Sequence, residues 1–87
     1  MAHVAIPSPL FSYTGGRRAI EVDGFDLASV LDGLEAKYPG LRFRIVDEHG
    51  SIRPHVRLWV GTRLAKDLGE PVGPADDVTI VAALSGG

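Results

Sequence analysis

The sequence predicts an α+β domain, a mixed four- to five-stranded sheet packed on one main helix in the order β-β-α-β-β-β. Three observations carry this expectation. Apolar and polar residues alternate near both ends of the chain, around Val4 and Ile6 and again around Val78 and Ile80. A single stretch, 26–38, spaces its apolar residues at helical intervals. Gly and Pro fall singly or in pairs as turn punctuation, with no repeat, low-complexity tract or linker. Eighty-seven residues suffice for one domain, 1–87, with one modest core.

The elements follow in order. In "HVAIPSPL" Val4 and Ile6 share a face, and Pro7 and Pro9 stop regular pairing on at least one edge. Gly15 and Gly16 form a turn, after which Ile20 and Val22 restart alternation as a second strand, returning beside the first as a hairpin that closes at Asp23 and Gly24. Leu27, Val30, Leu31, Leu34 and Tyr38 line one helix face; Asp26 is placed to cap its start, Pro39 and Gly40 to end it, and Gly33 weakens it slightly. This is the one convincing helix. "LRFRIVDEHGSIRPHVRLWVG" predicts two strands joined by a turn at Glu48-His49-Gly50, the second alternating Val56, Leu58 and Val60 with Arg57 and Trp59. "TRLAKDLGEPVGPADD" reads as a polar connection anchored by Leu64 and Leu68, with room for one short helical turn. "DVTIVAAL" closes the domain as a strand; paired parallel to the first, it would lie centrally and its end would project outward.

Composition excludes several functions. Nine Lys and Arg against eleven Asp and Glu give a net charge of -2, so there is no basic field to neutralise a run of phosphates, and nucleic acid is not expected as a partner. The absence of cysteine removes disulfides, thiolate metal sites and any side-chain sulfur nucleophile. No stretch approaches the ~20 apolar residues of a membrane span, and the N-terminus lacks a basic segment followed by an apolar one, so the expected compartment is the cytoplasm. His3, His49 and His55 have no spacing that implies a metal site. Arg17 and Arg18 read as an exposed turn, and Asp47-Glu48 and Asp76-Asp77 as carboxylates satisfied at turns. None of these makes an active site.

The order β-β-α-β-β-β closing on "DDVTIVAALSGG" resembles the ThiS/MoaD family of sulfur-carrier proteins, with its ubiquitin-like β-grasp fold. The resemblance covers the whole chain. It rests on Gly86 and Gly87 at the end, on "DDVTI" at Asp76 to Ile80, similar to the family's G-D-x-V pattern, and on "RLWVGT" at Arg57 to Thr62, similar to its strand-plus-turn element. Both inner motifs are imperfect here: Gly73-Pro74-Ala75-Asp76 precedes the strand, and Gly61 follows Val60 directly.

The resemblance implies that the protein is not an enzyme but a co-substrate, with no catalytic side chain and no bound cofactor. An E1-like adenylating enzyme would use ATP to activate the carboxylate of Gly87. Sulfur would then replace AMP, and the thiocarboxylate would donate it to a synthase of thiazole, molybdopterin or cysteine type. The long charged segment "FRIVDEHGSIRPHVRLWV" favours a molybdopterin or cysteine type over a thiamine type. Residues 84–87 would form a flexible tail in which Gly86 and Gly87 pass close to an enzyme surface because they lack Cβ. Ser85 and Leu84 would be the last residues read by side chain, with Leu84 in the partner's entry groove or folded back on its own domain. The docking surface implied is the sheet face carrying Trp59, Val81, Arg57 and Thr79; opposite parity would bury Trp59. The free protein is expected to be a monomer. The alternatives are a ubiquitin-like modifier conjugated through Gly87 and a β-grasp interaction module with an inert tail.

Overall fold

The computed structural model describes residues 1–82. Strand β1 (Ala2–Ala5) leads through a 3₁₀ helix (Ser8–Tyr13) to β2 (Ala19–Val22), followed by α1 (Leu27–Lys37), a short α2 (Leu41–Ile45), β3 (Val56–Val60), β4 (Arg63–Leu64) and β5 (Asp77–Ala82). The sheet order is β2-β1-β5-β3-β4. β1 pairs antiparallel with β2 and parallel with β5, while β5 and β4 both run antiparallel to β3. The expected α+β class, hairpin start and central closing strand are all present.

α1 forms where its N-terminal N–H groups find acceptors. Asp26 and Ser29 make a reciprocal capping box, Ser29 N donating to Asp26 Oδ1 at 2.8 Å and Asp26 N to Ser29 Oγ at 3.2 Å. The N–H groups of Leu27 and Ala28 donate to the carbonyls of Glu70 and Leu68, each at 3.0 Å. The long connection before β5 therefore completes the cap of a helix far from it in sequence. Leu27, Val30, Leu31 and Leu34 are fully buried from this helix, in one core cluster with Val4, Leu58, Val60 and Val78 of the sheet. Gly33 is more than a weak helix residue: a Cβ there would collide with Cγ1 of Val22, so glycine lets α1 lie close to β2.

Residues 41–47 depart from the expected strand. Leu41, Phe43 and Ile45 alternate with Arg42 and Arg44, but the helix buries Leu41 and Ile45, four residues apart, and leaves Phe43 51% exposed. The turn into α2 is fixed by Gly40 at φ 95 and by Glu35, whose two carboxylate oxygens accept from the N–H groups of Gly40 and Arg42, each at 2.9 Å. Only a single bridge, Val46 to Ile52, survives of the expected hairpin. α1 is thus joined by α2 and the 3₁₀ helix rather than standing alone.

The third strand of the order is supplied later in the chain. Val60-Gly61-Thr62-Arg63 makes a tight hairpin into β4, with Gly61 at φ 59 in a two-residue loop. The expected anchor Leu64 is accordingly 47% exposed, because it pairs with Trp59 on the outer face, while Leu68 packs against the core. The connection carries β4 and an Asp26–Pro71 bridge and does not use the room it had for a short helical turn.

Candidate functional site

The register of β3 and β5 brings the expected surface residues together. Val56, Leu58 and Val60 point into the core, which places Arg57 and Trp59 on the opposite face of the sheet. On β5, Val78 and Ile80 are buried, and Thr79 and Val81 share the outer face. Trp59 pairs with Thr79, and Arg57 with Val81. Trp59 is half-buried rather than enclosed, and Val81 is 46% exposed.

Leu64 extends this face on the far side of Trp59, so β4, β3 and β5 present an apolar row of Leu64, Trp59 and Val81 with Thr79 among them. Leu64 is therefore not the core anchor expected of it; Gly61, in the two-residue loop, marks the hairpin that exposes it. Across β1 the face continues over Ala5, paired with Thr79 and Ala19, and ends in His3 and Glu21, whose side chains approach to 3.3 Å. Arg57 is tied back toward the sheet edge: Nη1 donates to the carbonyls of Pro54 at 2.8 Å and Val56 at 3.0 Å.

β5 reaches Ala82 under uneven support. Its parallel pairing with β1 ends at Thr79, opposite Ala5, whereas its pairing with β3 continues to Ala82, opposite Val56. The expected tail 84–87, with Leu84, Ser85, Gly86 and Gly87, lies outside the described residues.

The remaining polar candidates occupy local structure. Asp47 Oδ1 accepts from the N–H groups of His49 at 2.9 Å and Ser51 at 3.0 Å. The Ser51 bond is the main reason its carboxyl sits below the usual aspartate range. Asp76 Oδ2 accepts from Gly73 N at 2.7 Å, and the Arg18 guanidinium lies 5.9 Å from the centre of the Phe11 ring. Among the described residues no three His, Asp or Glu side chains cluster as metal ligands. No helix among them is long and apolar enough to cross a membrane.

No family model matches the chain. It is 33% identical to the sulfur carrier protein CysO of Mycobacterium tuberculosis over 97% of this chain and 96% of the relative. Among solved structures, a chain of the BexX/CysO complex of Amycolatopsis orientalis superimposes with a TM-score of 0.91 at 27% identity, covering 100% of both chains. SAMP1 of Haloferax volcanii superimposes with a TM-score of 0.77 at 25% identity, covering 99% of this chain and 98% of that one. With a third of its positions shared along nearly the full length of CysO, on the same ubiquitin-like β-grasp framework, the chain belongs to the ThiS/MoaD-type family of sulfur carrier proteins.

Proposed function

We propose that this protein is a sulfur carrier of the cysteine type: a protein co-substrate, not an enzyme, whose reactive group is the Gly87 carboxylate. The observation that carries the reading is the 33% identity to CysO over 97% of the chain, which also favours the cysteine type over the molybdopterin and thiamine types. A backbone carboxylate with an ordinary pKa of about 3.3–3.7 is ionised at neutral pH. Its oxygen attacks the α-phosphorus of ATP in an E1-like partner and pyrophosphate leaves. A sulfide-level donor then attacks the acyl carbon, AMP departs with the bonding electrons, and a thiocarboxylate remains. In a cysteine-synthase-type partner the thiocarboxylate sulfur forms a bond to the electrophilic carbon of the acceptor, whose leaving group departs, and water then cleaves the acyl bond, releasing the sulfur-bearing product and regenerating the carboxylate.

The chain supplies to this sequence a docking face and a delivered end. Leu64, Trp59 and Val81 give a partner an apolar surface on β4, β3 and β5, beside the exit of β5. Partner binding through that face would bring Leu84 to Gly87 to the partner's nucleotide, with Gly86 and Gly87 passing where a side chain would not fit. ATP is the partner's cofactor; this chain needs none of its own. The free carrier acts as a monomer in the cytoplasm.

Intact-mass measurement after incubation with ATP, an activating enzyme and sulfide tests the reading. The expected product is heavier by one oxygen-to-sulfur exchange. An unchanged mass refutes it, and isopeptide-linked products instead of a free thiocarboxylate identify a modifier.

A further inference from the structure

A groove of about 360 Å³ runs beside the first half of β3 and shares only Leu64 with the apolar row on the sheet face. Its floor is Ile52, Leu58 and Ala65, and its rim carries Arg53, Arg57 and Lys66. None of its lining residues is a carboxylate. In a chain with eleven Asp and Glu against nine Lys and Arg, three cations converge here, and none is within 4.0 Å of a carboxylate among the described residues. Arg63, just outside, shows the contrast: its Nε lies 2.9 Å from Glu70 Oε2.

Two of the three cations are held in place without being neutralised. Arg53 Nε donates to the Phe43 carbonyl at 2.8 Å, and its guanidinium lies 4.5 Å from the centre of the Phe43 ring. Arg57 Nη1 is fixed by two carbonyls, as described above. Each guanidinium keeps further N–H donors, and its charge meets only carbonyl dipoles and an aromatic face. Asp47 feels Arg53 through space, but its Oδ1 is already bonded by two backbone N–H groups. Fixed arginines lose less side-chain freedom when an anion arrives, which favours recognition over a mobile surface charge.

The shape fits a chain segment. β4 pairs only with Trp59 and Val60, and Ala65 N donates to the Leu58 carbonyl at 2.8 Å, so beyond Leu58 the edge of β3 at Val56 and Arg57 has no neighbouring strand on this side among the described residues. The apolar floor lies along that edge. We propose that the groove docks an acidic, extended segment of a partner protein, its carboxylates against Arg53, Arg57 and Lys66 and an apolar side chain on the floor. Because Val56 of the groove wall pairs with Ala82, such a partner would sit beside the end of β5.

The test is a titration of the ¹⁵N-labelled full chain with the end-blocked peptide EEVIEE, alongside KKVIKK, glutarate and inorganic phosphate. Saturable amide shifts at Arg53, Arg57, Leu64 and Lys66 with EEVIEE alone are expected, weakening with salt. The double variant Arg53→Gln, Lys66→Gln should weaken the binding by about tenfold, from two lost charge contacts. Its dispersed spectrum and melting temperature verify the fold. The proposal is overturned by an absence of shifts in the groove, by equal affinity in the double variant, or by KKVIKK binding as well. Glutarate or phosphate reproducing the shifts also overturns it in favour of a small-anion site. No sulfur loading is involved, so failure here is distinguishable from failure of the carrier reading.

Discussion

Trp59→Ala separates an exposed docking residue from a core residue. Removing a fully buried Trp costs about 3–5 kcal/mol, from lost transfer energy and the cavity left behind. Trp59 is half-buried on the outer face, between Thr79 and Leu64, and among the described residues no layer covers it. The expected stability loss is therefore about 1–2 kcal/mol, including the cross-strand pairs with its two neighbours. Urea unfolding would show a lower midpoint at unchanged slope. As the aromatic anchor of the proposed partner surface, the same residue should contribute about 2 kcal/mol to binding, roughly a thirtyfold loss of affinity for the activating enzyme by calorimetry. A stability loss above about 3 kcal/mol would mean the indole works as core. Unchanged affinity in a folded variant would remove Trp59 from the interface.

Three further outcomes are expected. Gly87→Ala should slow thiocarboxylate formation, measured by intact mass, at unchanged melting temperature; normal loading would refute the requirement for a residue without Cβ. Gly33→Ala gains about 1 kcal/mol of helix propensity but meets Val22 Cγ1, and overpacking costs about 1–3 kcal/mol, so the variant should melt lower; a higher melting temperature would show that β2 yields freely. Bonds from the N–H groups of Gly40 and Arg42 hold the Glu35 carboxyl below the usual glutamate range, so the unfolded chain takes up its proton first as pH falls. That stabilisation is whole above the ordinary glutamate value of about 4.3 and is lost as pH drops through the lower folded value, and Glu35→Gln should flatten this acid limb in melting scans.

What could be read from sequence divides by the range of the deciding contact. α1 was legible because its apolar spacing and its Asp26 cap are local. So was the parity of β3 and β5, since alternation fixes which residues share a face once the strands are placed. The segment LRFRI was not, because its apolar residues satisfy both a two-residue and a four-residue period. The choice is made by Glu35, reaching from the last turns of α1 to the start of α2. Leu64 was misplaced for a related reason: a two-residue strand carries too little pattern to announce which face it joins. The row of Trp59, Thr79 and Val81 needed only the β3–β5 register, whereas the cationic groove needed loop 52–54 brought against residues 64–66, which no periodicity encodes.

The support of β5 gives the carrier a preferred side of approach. Pro7 cannot donate a ladder bond, and Ile6 N turns away to the Arg18 carbonyl at 2.8 Å, so β1 stops holding β5 at Thr79. Among the described residues β3 alone accompanies Val81 and Ala82. A partner that handles the residues beyond Ala82 meets, on the β3 side, a rigid wall built of Val56, Arg57 and Trp59. On the β1 side the strand edge at Val81 and Ala82 has no ladder among the described residues. Burial sets which side is fixed: Val56 and Leu58, the β3 residues opposite Ala82 and Ile80, are core residues and cannot move without opening the interior. The apolar row and the cationic groove both lie on that fixed side. Under the proposed function, recognition of the carrier and positioning of the end it delivers would share one rigid element, because a partner that grips β3 also fixes where Ala82 lies.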